Sequence, residues 1–173
     1  NKSEVVNLGN QSDILFRGIK TSSGNQTASL KSLQGISTWC LDESEELIDE
    51  DIFDTIDLSI REKDIQNRII LILNPVTKEH WIYKRFFEEK GIEGGFNGVK
   101  DNVCYIHSTY LDNIVNLSQS FLERIKSIKH SNFKKYTHKI MGGWLERAEG
   151  IVFDNWSIGE FNPDNLQTSC GMD

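Results

Sequence analysis

No run of roughly 18 apolar residues, the length a membrane-crossing helix needs, occurs anywhere in the chain. The opening segment Asn1 to Asn10 is too polar for a signal peptide, so the expected location is the cytoplasm, with no membrane partner. Cysteine is scarce: Cys40, Cys104 and Cys170 are widely spaced, odd in number and never in a CxxC pair. That pattern excludes a disulfide framework and a cysteine zinc site, leaving reduced thiols. No G-x-x-x-x-G-K-[ST] run is present, and the segment Gly18 to Gly24 has glycines but not the Gly-Lys-Ser/Thr that cradles phosphate. The net charge of −7 argues against a surface that coats nucleic acid broadly, while leaving room for a local basic groove.

What is present fits one soluble domain: 173 residues, 38% apolar and 26% charged. Four segments read as strands, at residues 13–19, 35–42, 68–75 and 102–110. Ile69 to Leu73 are five consecutive aliphatics, the pattern of a central strand covered on both faces. Ser44 to Arg61 spaces Leu47, Ile48, Ile52, Phe53, Ile56 and Ile60 as one helical stripe, and His80 to Lys90 forms a second candidate helix. The alternation predicts an α/β parallel sheet. Residues 91–98 are glycine-rich and read as a flexible surface loop. Two further helices follow, one starting near Ser118 with Phe121, Leu122, Ile125 and Ile128 as its apolar face, the other ending at Gly142 and Gly143.

One strand candidate runs straight into acids, Leu41-Asp42-Glu43. At the carboxyl end of a parallel strand, side chains enter the crevice where α/β proteins bind ligands. An aspartate there can hold magnesium, and a following glutamate can orient and deprotonate an attacking water. The other reading makes Asp42 the N-cap of the next helix, with Glu43, Glu45 and Glu46 complementing its dipole. Asn74 would emerge in the same crevice from the next strand, although Asn-Pro also starts turns.

The motifs TWCLDESEEL, SIREKDIQNRIILILNPVTKEHWIYKRFF, STYLDN and GGWLERAEGIVFDNW, in this order, resemble the large terminase subunit of tailed bacteriophages, in its defective-prophage-like branch. The similarity runs from about residue 10 to residue 173. It implies a partial RecA-like ATPase sheet of the additional-strand, catalytic-glutamate class, with a small helical subdomain and a linker to a ribonuclease H-like nuclease domain. The divisions expected are 1–115 for the second half of the ATPase core, 116–145 for the helical lid and 146–173 for the linker and first nuclease strand.

By this resemblance, Asp42 matches the magnesium aspartate and Glu43 the catalytic glutamate. Asn74 falls at the motif that couples hydrolysis to movement, Arg61 matches an arginine of open role, and Asp173 looks like the first metal-binding carboxylate of the nuclease. The implied cofactors are ATP and Mg2+. The implied partners are double-stranded DNA, the portal protein, the small terminase subunit and further copies of the chain in a ring, acting in the host cytoplasm and transiently at the procapsid portal. Asn1 in place of a methionine and the absent phosphate loop suggest an excerpt, expected by itself to hydrolyse neither ATP nor DNA.

Other features carry two readings each. Residues 124–139 hold Arg124, Lys126, Lys129, Lys134, Lys135 and Lys139 without an acid, either a surface facing DNA phosphates or a neighbouring subunit, or a solvated helix face. Trp81 reads as core rather than a stacking platform, His80 and His107 as surface or hydrogen-bonded rather than ligands, and Trp144 as a hinge anchor. The alternative to a motor part is a non-catalytic α/β interaction domain, such as a prophage remnant.

Overall fold

The computed structural model describes residues 4–18 and 35–146. Its centre is a parallel pair, β3 (Thr38–Leu41) and β4 (Arg68–Leu71), with Thr38 opposite Arg68 and Leu41 opposite Leu71. Alternation along both strands turns Trp39, Leu41, Ile69 and Leu71 inward, while Thr38, Cys40, Arg68 and Ile70 face out. The expectation that Ile69 to Leu73 is covered on both faces is therefore corrected. Ile70 and Ile72 are 44% and 51% exposed, because among the described residues helices pack on one side of the pair only.

The other expected strands do not join this sheet. Residues 13–19 shorten to β2 (Asp13–Leu15), antiparallel to β1 (Glu4–Val6). Residues 102–110 shorten to β6 (Val103–Tyr105), antiparallel to β5 (Gly98–Lys100). The tight hairpin between them turns at Asp101, whose φ of 53° lies in the left-handed region that Asp tolerates better than most residues. Part of the expected glycine loop is thus a strand, and Ile92 within it is buried. The described architecture is mixed α/β with three two-stranded sheets, compatible with the ATPase domain that the resemblance implies.

The helix expected over 44–61 is broken. A 3-10 turn (Ser44–Glu46) is followed by extended backbone at Leu47, and α1 covers Glu50–Asp57. The break has a cause in Trp81, whose indole N–H donates to the Leu47 carbonyl and takes that acceptor away from any helical ladder. Asp49 then restarts the helix as N-cap, accepting from the Asp51 N–H at 2.9 Å. Phe53 and Ile56 are the buried residues of α1.

Helix α2 (Trp81–Tyr83) begins at His80, whose Nδ1 accepts from the Ile82 N–H, and widens into a π-turn over Lys84–Glu88. Leu47, Phe53, Trp81 and Ile82 form the buried core, with Trp39, Leu41, Ile69, Leu71, Leu73 and Phe86 packed around them. Trp81 is core, as expected. Arg85 ties α2 to α1 by donating to Glu50 at 2.9 Å and Asp54 at 2.6 Å, its guanidinium lying over the Phe53 ring.

Helix α3 (Gln119–Ser131) is capped by Ser118 and buries Ile125. Helix α4 (Phe133–Lys135) continues as a π-turn over Tyr136–Ile140 and stops at Gly142, with φ 65°. The chain then returns to the core: Leu145 bridges Thr77, and Trp144 packs on Tyr83 and Phe87. Trp144 is thus more than a hinge anchor, since it seals this end onto α2. Cys40 and Cys104 are exposed free thiols, and no helix among the described residues is long and apolar enough to cross a membrane.

Candidate active site

The acidic pair is positioned by one residue of the neighbouring strand. Just past β4, the Ile72 N–H donates to the Leu41 carbonyl at 2.9 Å, and the Ile72 carbonyl accepts from the Ser44 N–H at 2.9 Å. Leu41 and Ser44 are both held to Ile72, so the two residues between them leave the ladder. Asp42 and Glu43 stand exposed at the carboxyl end of β3.

Glu43 makes the turn with φ 52° and ψ 45°, a left-handed conformation that costs a non-glycine residue about 1–2 kcal/mol. Its N–H donates to Asp42 Oδ1 at 3.1 Å. Ser44 is fully buried, and its hydroxyl makes a second bond to the Ile72 carbonyl at 2.9 Å. The reading of Asp42 as helix N-cap is corrected: Glu43 is the residue that precedes the 3-10 turn, and Asp49 caps α1.

Asn74, exposed two residues beyond Ile72, reaches the same loop from the β4 side, but its amide donates to Glu45 Oε1 at 3.2 Å rather than to Glu43. His80 closes the third side: Nε2 lies 3.1 Å from the Glu45 carbonyl. With Nδ1 accepting from Ile82, the hydrogen-bond network assigns the proton to Nε2 of a neutral ring. Burial lowers the His80 pKa below its ordinary 6.5, against the opposing pull of the Glu45 carbonyl and carboxylate.

The structure therefore brings Asp42, Glu43 and Asn74 to one end of the parallel pair. Ser44, Glu45 and His80 complete the loop: His80 is hydrogen-bonded, one of the two readings its sequence position allowed, Glu45 was read only as complementing a helix dipole, and Ser44 was not singled out. The legible signal was a small residue directly after two acids, where a larger side chain would not fit against β4. Arg61 is exposed beyond α1, and Asp173 lies outside the described residues. Among the described residues no group of three or more His, Cys, Asp or Glu converges as a metal cage. A single exposed carboxylate suits Mg2+, which keeps several waters and takes the rest of its shell from phosphates.

Elsewhere, the Asn97 side chain clamps the His107 main chain through both its amide groups. The six cations of residues 124–139 are all exposed, with Lys129 lying over the Tyr136 ring.

Glu43→Gly removes an exposed side chain and the left-handed strain together. Thermal or urea unfolding should therefore show it about 1 kcal/mol more stable than the parent, and a loss of stability would contradict this turn geometry. The lowered His80 pKa means that the unfolded chain binds the proton first. Stability should then fall as pH drops below 6.5 toward the folded-state value, and His80→Asn should flatten that part of the unfolding-versus-pH profile.

No curated protein matches the chain. A family model described as phage terminase large subunit matches residues 1–143, which takes in both strands of the parallel pair, the acidic loop and α3. The chain belongs to the phage terminase large subunit family, and with it to the proteins of phage DNA packaging.

Proposed function

We propose that this chain supplies the acid-bearing half of the ATPase that drives double-stranded DNA into the procapsid. The observation that carries the reading is the expulsion of Asp42 and Glu43 from the ladder by the paired hydrogen bonds of Ile72. Strain at Glu43 is tolerated there without any capping bond in return, which is how backbone cost is distributed at functional turns.

In this reading Asp42 holds Mg2+ together with ATP, and Glu43 orients the attacking water and takes its proton. The bound metal would supply charge neutralisation at the phosphates. Asn74, just past the end of β4, couples the state of the acidic loop to movement of the strand. The reading also requires a phosphate-cradling loop, whose G-x-x-x-x-G-K-[ST] pattern residues 1–173 lack, and further nuclease carboxylates to join Asp173. The proposed division keeps residues 1–115 as ATPase core, 116–145 as lid and 146–173 as linker and nuclease threshold.

Residues 124–139 are the proposed contact with DNA phosphates. Six exposed cations on an otherwise acidic chain would focus polyanion binding on this segment. The portal protein, the small subunit and a ring of copies complete the motor, working in the host cytoplasm and at the portal.

Magnesium-dependent ATPase of the full-length large subunit tests the proposal. Glu43→Gln should lower kcat by a factor on the order of 1,000, within the range of losing a general base and its positioning. Lys134→Glu with Lys135→Glu should leave basal hydrolysis intact and weaken stimulation by DNA, with a shallower salt dependence. A fully active Glu43→Gln protein would instead show that the acidic pair is not the catalytic site.

A further inference from the structure

Glu45 has no role in the reading above, yet it meets both the strand end, at Asn74, and the start of α2, at His80. Its Oε1 accepts from the Asn74 amide, and its main-chain carbonyl faces His80 Nε2. Its Oε2 is closed off from solvent and accepts no hydrogen bond among the described residues. A first-turn acid would ordinarily be explained by the helix dipole, but the turn over Ser44–Glu46 is three residues long and has almost no dipole to complement. A carboxylate held half out of water with one oxygen unmet costs free energy that its neighbours must offset. What it gains is the bond to Asn74.

From this geometry we propose that Glu45 is a positioning residue: it holds the Asn74 amide beside the acidic pair and so fixes the end of β4 relative to Glu43. The inference rests on the proposed ATPase role of Glu43. Ile72 ties the backbones of the two strand ends together, and the Glu45–Asn74 bond is the corresponding tie between their side chains. The backbone tie belongs to the sheet and holds in every state that keeps the sheet. The side-chain tie joins an exposed amide to a poorly satisfied carboxylate, so it can be released without unfolding. It is therefore the part of the loop able to differ between states of the cycle.

The hydrogen bond has a polarity that can be reversed. Asn74→Asp sets a second carboxylate against Glu45 and should lower the kcat of ATP hydrolysis in the full-length large subunit by about tenfold, the size of one charge-assisted hydrogen bond lost, with little change in KM. Glu45→Gln keeps a carbonyl acceptor and should cost about threefold or less. In the double variant, Glu45→Gln with Asn74→Asp, the amide and the carboxylate have exchanged places. The amide now on the loop can donate to the carboxylate now on the strand end, and kcat should return to within about threefold of the parent.

A role confined to folding would move the melting temperature without this charge-swap recovery in kcat. If Glu43→Gln abolishes hydrolysis while the double variant is no faster than Asn74→Asp alone, the inference about Glu45 is wrong and the catalytic reading stands. If Glu43→Gln hydrolyses ATP normally, the catalytic reading is wrong and takes this inference with it. Should Asn74→Asp fail to fold, Glu45→Ala removes the acceptor without adding a charge; an unchanged kcat in that variant would overturn the proposal by itself.

Discussion

Ile72 gives both of its main-chain groups to residues that flank the acidic pair, and the arrangement of the whole site depends on that choice. A strand that continued past Leu41 in regular register would place Asp42 and Glu43 on alternate faces, one of them turned toward Leu47 and Trp81. Burying either carboxylate there would cost several kcal/mol. Skipping two residues instead lets the ladder resume at Ser44, the one residue of the loop small enough to be fully enclosed, while both acids stay in water. The left-handed turn at Glu43 is the geometric cost of that skip, and the second bond from the Ser44 hydroxyl helps to offset it.

The core sets the loop from the other side. Trp81 fills the space beneath β3 and takes the Leu47 carbonyl, which ends the turn after Glu46 and forces a fresh helix start at Asp49. His80, one residue before Trp81, is thereby brought under the Glu45 carbonyl. Aromatic packing and the placement of the acidic loop are therefore one problem with one solution. Arg85 extends it by fastening α2 to α1 through Glu50 and Asp54, so that the base of the loop is braced by an ion-paired, ring-stacked side chain.

Much of this was legible in the residues. The aliphatic run Ile69–Leu73 marked β4, the segment 35–42 marked β3, the acid pair fell at a strand end, the helical stripe placed Phe53 and Ile56 inside, and Ser118 capped the helix it precedes. Long-range hydrogen bonds were not legible. Periodicity reads Ser44 to Arg61 as one helix because it cannot see that an indole far along the chain claims the Leu47 carbonyl. It also cannot tell a parallel strand from one arm of a hairpin, so it assigns Val103–Tyr105 to the wrong sheet. Asn74 was expected in the same crevice as the acids, and its hydrogen-bond acceptor, Glu45, depends on a turn that no local pattern encodes.

Backbone hydrogen exchange across the loop tests the central claim most directly. If Ile72 pins Leu41 and Ser44 together, the amides of Ser44 and Ile72 should be protected to a similar degree, exchanging only when the β3–β4 pair opens. The Glu43 amide, bonded only to an exposed neighbouring side chain, should exchange much faster than either. A Ser44 amide that exchanges as fast as that of Glu43, beside a protected Ile72, would mean that the ladder does not close around the acidic pair.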